Sequence, residues 1–222
     1  MARGMRALGI FLIVAGAGGW IHAFLLDNLL GGVWGKLRYE RPLTELIGIA
    51  VDSEGRIYCG TPPYKRIQLY SAEGRFIDSW YYPGTVEYRL RINQNNQLEV
   101  ADANRTRRGD MTDILTTYDH AGRVLSREEV DGAWVQFGEE SERVFQLPSG
   151  ETLFIPDRRF YPRIEKQSVS GEVSVVVRNS WILWFFAAPL PTWFWFVIGS
   201  LILKLGQRVG QRGAGHFESA GP

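Results

Sequence analysis

The side chains in this chain that could do chemistry are scattered. The histidines His22, His120 and His216 fall in an apolar segment, a turn signal and a polar tail, so they cannot converge on one metal ion. Asp102, Asp110, Asp113 and Asp157 lie in loop-like stretches, and their spacing matches no calcium loop, so they read as solvated carboxylates. Cys59 is the single cysteine, which excludes an internal disulfide and a thiolate-rich metal site. It stands in a strand-like run with no histidine nearby in sequence to activate it, and reads as a small buried residue. Arg108-Gly109-Asp110 spells an adhesion tripeptide too short to weigh. On these residues the chain is expected to carry no catalytic group, no metal and no cofactor, and not to be an enzyme.

Cations and aromatics gather in three loops that hold corresponding places. The first contains Tyr64, Lys65 and Arg66, the second Arg105, Arg107 and Arg108, and the third Arg158, Arg159, Tyr161 and Arg163. If the loops emerge on one rim, they make a basic, aromatic surface for an anionic ligand, a glycan, lipid headgroups or a protein. Paired with local acids, the same arginines would merely solvate that rim.

Those loops are positioned by a repeat. Across residues 47–80, Ile49-Ala50-Val51 leads through Asp52-Ser53-Glu54-Gly55 to Ile57-Tyr58-Cys59. Ile67 and Leu69 lead through Ser71-Ala72-Glu73-Gly74 to Phe76 and Ile77. Short apolar runs of alternating pattern between turn signals read as four antiparallel strands. The order returns around Asn93–Asn96 and Asp119–Gly122, and again around Pro148–Gly150 and Ser170-Gly171. Gly74, Gly122 and Gly171 keep the register, and Tyr70 and Tyr118 stand at equivalent places before the first two. The fold class expected is an all-β domain of three propeller-blade-like, four-stranded units, flanked by two transmembrane helices.

The first unit resembles an NHL repeat, a propeller-blade family, through Ile49-Ala50-Val51-Asp52-Ser53-Glu54-Gly55-Arg56-Ile57-Tyr58, Arg66-Ile67-Gln68-Leu69-Tyr70 and Glu73-Gly74-Arg75-Phe76. The later units share only turns and apolar positions. Where many members of that family carry an aspartate after the second strand, the first unit has Gly60, whereas Asp102 and Asp157 hold the comparable places later. The resemblance implies a blade fold. Lyase or lactonase chemistry on such a fold usually needs convergent histidine or carboxylate ligands, which are not evident in this sequence.

Charges nearly cancel, 25 Lys+Arg against 24 Asp+Glu, so no overall field favours nucleic acid. The ends differ from the middle. Residues 7–26 and 181–203 carry no formal charge, and each is long enough to span a bilayer as a helix. The first reads as an uncleaved signal anchor in preference to a cleaved signal peptide. The division expected is an N-terminal transmembrane helix within 1–35, an extracytoplasmic β domain over 36–180, a C-terminal transmembrane helix over 181–205 and a disordered cytoplasmic tail over 206–222. Arg3, Arg6, Lys204, Arg208 and Arg212 put both termini on the cytoplasmic side of a plasma or inner membrane.

Three blades in sequence order leave two faces open. A homodimer closing a six-bladed ring, a partner membrane protein, or the flanking stretches 43–46 and 178–180 could cover them. The function expected is ligand or protein binding, or scaffolding, at the membrane, with a role as accessory subunit of a larger membrane complex as the alternative.

Overall fold

The structure is a computed structural model describing residues 2–21, 38–43, 46–84, 88–105, 111–133, 137, 143–156, 162–178, 180, 184 and 189–215. The chain divides into two compact units, one from 1–25 with 181–222 and the other from 26–180.

Among the described residues the larger unit contains twelve strands in three four-stranded antiparallel sheets, each a simple meander. Blade 1 is β1 (Ile49–Val51), β2 (Ile57–Thr61), β3 (Arg66–Tyr70) and β4 (Phe76–Tyr81). Blade 2 is β5 (Tyr88–Ile92), β6 (Leu98–Arg105), β7 (Met111–Tyr118) and β8 (Val124–Glu129). Blade 3 is β9 (Val144–Gln146), β10 (Thr152–Phe154), β11 (Arg163–Gln167) and β12 (Val173–Arg178). These are the expected propeller-like units.

Local chemistry sets the hairpins. Six turns repeat one pattern, in which the fourth residue donates its N–H to the carbonyl of the first: Gly55 to Asp52, Gly74 to Ser71, Asn96 to Asn93, Gly122 to Asp119, Gly150 to Leu147 and Gly171 to Ser168. The fourth residue is left-handed, with φ of +77° at Gly74 and +60° at Asn96, a conformation that glycine and asparagine tolerate. In the Asp turns the first side chain caps the loop. Asp52 Oδ1 accepts the N–H groups of Glu54 and Arg56, and Asp119 Oδ1 those of Ala121 and Arg123.

The spatial order of the blades is third, first, second. One core cluster joins Ile49, Val51, Ile57, Cys59 and Tyr70 of blade 1 to Leu153, Ile164 and Val177 of blade 3. The other joins Ala50, Tyr58, Ile67, Leu69 and Trp80 of blade 1 to Tyr88, Leu90, Leu98, Val100 and Tyr118 of blade 2. Blade 1 is therefore covered on both faces. The period-two alternation of β1 supplies both at once, since Ile49 and Val51 point one way and Ala50 the other.

The equivalence of the blades is cyclic. Tyr118 of blade 2 packs towards blade 1, and its counterpart Tyr70 of blade 1 packs towards blade 3. A Cβ at Gly122 would lie 2.5 Å from the Trp80 ring in blade 1, and one at Gly74 would lie 1.8 Å from the Val176 carbonyl oxygen in blade 3. At Gly171, the third member of the set, no described atom lies within 4 Å. Among the described residues nothing packs on the outer side of blade 3 at Gly171, and Val144, Val173 and Val175 are exposed. On the outer side of blade 2, Ala133 and Phe137 pack on Ala101 with Leu115 and Val130.

Segment 38–43 runs along the blade 3 side of blade 1. The Gln68 amide brackets Arg41, accepting from its N–H at 2.7 Å and donating to its carbonyl at 3.1 Å, while Ser79 Oγ donates to the Tyr39 carbonyl. Leu43 and Leu46 are buried in the seam with blade 3. They fill the seam as side chains without joining the sheet as a strand.

The smaller unit pairs α1 (Ala2–Trp20) with α2 (Pro189–Gly215). Among the described residues no helix is long and apolar enough to cross a membrane, so the two expected transmembrane helices are not supported. The reason lies in the extents. The helix α1 begins on Arg3 and Arg6 and ends at Trp20, and α2 continues past Leu203 into the polar run from Lys204. The remainder of the two apolar segments, 22–26 and most of 181–188, lies outside the described residues, as does the tail from 216.

Candidate functional site

The inner strands of all three blades border one cavity of about 450 Å³. Its walls are Ile49, Ala50 and Val51 of β1, Leu90, Arg91 and Ile92 of β5, and Phe145 of β9. Ser53, Asn93, Gln94 and Asn96, from the turns after β1 and β5, form its polar margin. That margin is held in place. The Ser53 N–H donates to Asn96 Oδ1 at 2.8 Å, tying the two turns together across blades. Asn93 Nδ2 donates to Glu99 Oε1 at 3.1 Å, and Arg91 Nε to Glu99 Oε2 at 2.7 Å. The Arg91 guanidinium lies 4.3 Å from the centre of the Phe137 ring. The lining is thus aliphatic and aromatic at its base and amide-rich at its edge, with its cation already engaged by Glu99. Such a cavity suits a molecule with an apolar body and a neutral hydrogen-bonding end.

The first of the loops expected to form a basic rim lies at the opposite end of its strands, between β2 and β3. Two of the loop's residues are interior instead: Tyr64 and Arg66 are buried. A 3₁₀ turn over Pro62–Tyr64 folds the first loop back, with Lys65 left-handed at φ +48°. Segment 38–43 then closes over it. The Arg41 guanidinium lies 4.2 Å from the Tyr39 ring centre and 5.4 Å from that of Tyr64, and Arg66 lies 5.2 Å from Tyr39. Burial of two guanidiniums among aromatic faces fits arginine, whose planar charge is weakly hydrated. Arg163 is half-buried and ion-paired with Glu165. Arg105 ends β6, its side chain outside the described residues, and Arg107, Arg108, Arg158, Arg159 and Tyr161 also lie outside them. No local pattern shows that Tyr39 and Arg41 reach the first loop, because twenty or more residues separate them.

Among the described residues no group of three His, Cys, Asp or Glu could hold a metal ion. Cys59 is buried, as expected, and burial pushes its thiol well above the ordinary range. His120 is exposed in its turn, with Nδ1 3.2 Å from the Tyr58 hydroxyl. That hydroxyl donates to Asp52 Oδ2 at 3.1 Å, and Asp52 also holds Arg56 Nε at 2.6 Å. Tyr58 has one proton to give, so in this arrangement His120 Nδ1 is the donor to its oxygen. Burial, then the Asp52 charge, raises the Tyr58 phenol above its ordinary value. The group pins blade 2 to blade 1.

Gly60 holds the position where the NHL pattern has aspartate. A Cβ there would lie 2.6 Å from the Tyr88 ring, whose hydroxyl crosses between blades to donate to the Arg66 carbonyl at 2.9 Å. Asp102, the counterpart in blade 2, is buried beside Tyr82 and hydrogen-bonds to its phenol.

No family model, for NHL repeats or otherwise, matches the chain, and no curated protein does. Solved structures similar to it include virginiamycin B lyase from Staphylococcus aureus, at 12% identity and TM-score 0.32, over 60% of this chain and 41% of that one. A protein of unknown function from Bacteroides caccae is 17% identical with TM-score 0.32, over 64% and 50%. A luciferin-regenerating enzyme is 11% identical with TM-score 0.32, over 63% and 47%. The chain spans between two fifths and half the length of these proteins, and the likeness is one of fold alone. It does correct one expectation. The chain was expected not to be an enzyme, yet two of these three structures are enzymes, so its blade arrangement gives no ground for excluding catalysis.

Proposed function

We propose that this chain is a membrane-attached binding module whose blades present the axial cavity to a small molecule with an apolar body and a neutral polar end. The observation that carries the reading is the convergence of all three blades on that cavity: β1, β5 and Phe145 of β9 form its walls, and the Ser53–Asn96 bond fixes its margin. Membrane attachment is supported by the helix pair, on which Phe11 and Val14 are each 64% exposed, Trp193 60% and Phe194 62%, more apolar surface than water favours. The basic ends support termini on the cytoplasmic face of that membrane. A second copy, or a membrane partner, would sit on the open side of blade 3, where Gly171 has no neighbour corresponding to those of Gly74 and Gly122.

The test uses the full chain in lipid nanodiscs and a panel of neutral aryl amides such as N-acetylphenylalaninamide. Saturation-transfer NMR should show transfer to their ring protons, lost when Gln94→Trp blocks the margin. Transfer that is absent across the panel, or unchanged in Gln94→Trp, rejects the axial site. A monomer mass in mild detergent, with no co-purifying partner, rejects the second copy and the partner together.

A further inference from the structure

The helix pair is antiparallel and in backbone contact. A Cβ at Gly9 would lie 2.9 Å from the Gly199 carbonyl oxygen, and one at Gly199 would lie 2.8 Å from that of Gly9. Small residues at the crossing permit this approach. Further along, Arg6 Nε donates to the Gly206 carbonyl at 3.4 Å, so the start of α1 lies beside the late turns of α2. Residues far apart in the chain are thereby gathered at one end: Arg3, Arg6, Lys204 and Arg208, all exposed. Neither helix contains an acidic residue to neutralise them. Exposed apolar side chains begin at once beside this end, with Leu8 and Phe11 on α1 and Leu201 and Leu205 on α2.

We infer that this basic end is a seat for anionic phospholipid headgroups. An apolar flank that runs directly into a basic cluster matches the boundary between acyl chains and phosphates, and long Lys and Arg side chains reach the phosphate layer while their stems stay in apolar surroundings. Each such residue contributes about 1 kcal/mol of attraction to an anionic surface, roughly fivefold in binding. The inference rests on the membrane attachment proposed above, and adds which lipid class the helix pair prefers and which residues select it.

The experiment takes the full chain, purified from membranes in mild detergent, and offers it equimolar phosphatidylglycerol and phosphatidylcholine. Native mass spectrometry counts the lipids retained. Phosphatidylglycerol should be retained at least about fivefold over phosphatidylcholine, and the preference should shrink in high salt. The triple variant Arg3→Gln, Lys204→Gln, Arg208→Gln should lose it, whereas Arg123→Gln, on a blade turn, should keep it. Lys204→Gln alone should lower it partway, a readout that survives if the triple variant folds poorly. Equal retention of the two lipids, or a preference unchanged in the single and triple variants, overturns the inference. Alkaline carbonate extraction of native membranes separates the two ideas. A chain released by carbonate fails the membrane reading, and one that stays but shows no lipid preference fails only this inference.

Discussion

The two faces of blade 1 are built from different chemistry. Towards blade 3 the seam is largely aliphatic, with Ile49, Val51, Ile57, Leu153, Ile164 and Val177 at its centre and Leu43 and Leu46 filling its margin. Towards blade 2 it is aromatic and hydroxyl-rich. Tyr58 meets the Trp80 ring edge-on at 6.2 Å, Trp80 lies 6.0 Å from Tyr118, and Tyr82 lies 4.8 Å from Tyr88. An aliphatic seam is held by area and tolerates small shifts. An aromatic seam carries polar tips that must each find a partner and flat rings that need slots, which explains the glycines Gly60 and Gly122 beneath Tyr88 and Trp80.

That contrast can be broken by substitution. The largest effect is expected for Trp80→Ala, at about 4 kcal/mol of stability, with Ile164→Ala on the aliphatic side at about 3 kcal/mol. Chemical denaturation of the full chain, followed by circular dichroism, measures both, and a reversed order would show that the aliphatic seam dominates. Gly122→Ala and Gly171→Ala share the cost of a left-handed alanine, about 1 kcal/mol. Gly122→Ala also drives a methyl into the Trp80 ring, which adds about 2 kcal/mol. Equal losses at the two sites would sink the cyclic equivalence of the blades, or would mean that a partner covers Gly171.

Removing a hydroxyl tests the directional bonds. Tyr88→Phe should cost about 1 kcal/mol, because it strips the bond to the Arg66 carbonyl. Tyr118→Phe should stay within about 0.5 kcal/mol of the parent or gain slightly, since the Tyr118 hydroxyl is buried with no hydrogen-bond partner among the described residues. Thermal melts of the pair read the difference directly, and a costly Tyr118→Phe would mean that this hydroxyl is satisfied.

The smallest effect belongs to Glu40, near the outer edge of the aliphatic seam. Burial raises its carboxyl above the usual range, partly offset by the bond from Tyr70. A raised folded-state value makes the ionised form a burden. Glu40 therefore favours folding below the ordinary carboxylate range, and that contribution is lost as pH rises through the folded value. Stability measured from about pH 4 to pH 7 should fall more in the parent than in Glu40→Gln; parallel curves would contradict the shift.

The strands and hairpins could be read from the sequence because their causes are local. Asp52-Ser53-Glu54-Gly55 and Asp119-His120-Ala121-Gly122 each hold a capping carboxylate and a residue for the left-handed position within four places, and β alternation needs only neighbours. The expectation that the chain is not an enzyme, by contrast, rested on histidines and carboxylates scattered along the sequence, and it does not stand, because a catalytic group is a matter of convergence in space. The burial of two residues of the expected basic rim was illegible for the same reason. Tyr64 and Arg66 have the composition of a surface loop, and it took Tyr39 and Arg41, brought over by a separate segment, to enclose them.

The sequence by itself determined the number of blades, their turns and the register of Gly74, Gly122 and Gly171, because backbone dihedrals and side-chain caps act within a few residues. The tertiary structure alone decided that blade 3 packs against blade 1, that their inner strands border a cavity with blade 2, and that Arg6 meets Gly206 across the helix pair. Each of these depends on which apolar faces find one another across long stretches of chain, and burial is non-directional, so no local pattern encodes the partner.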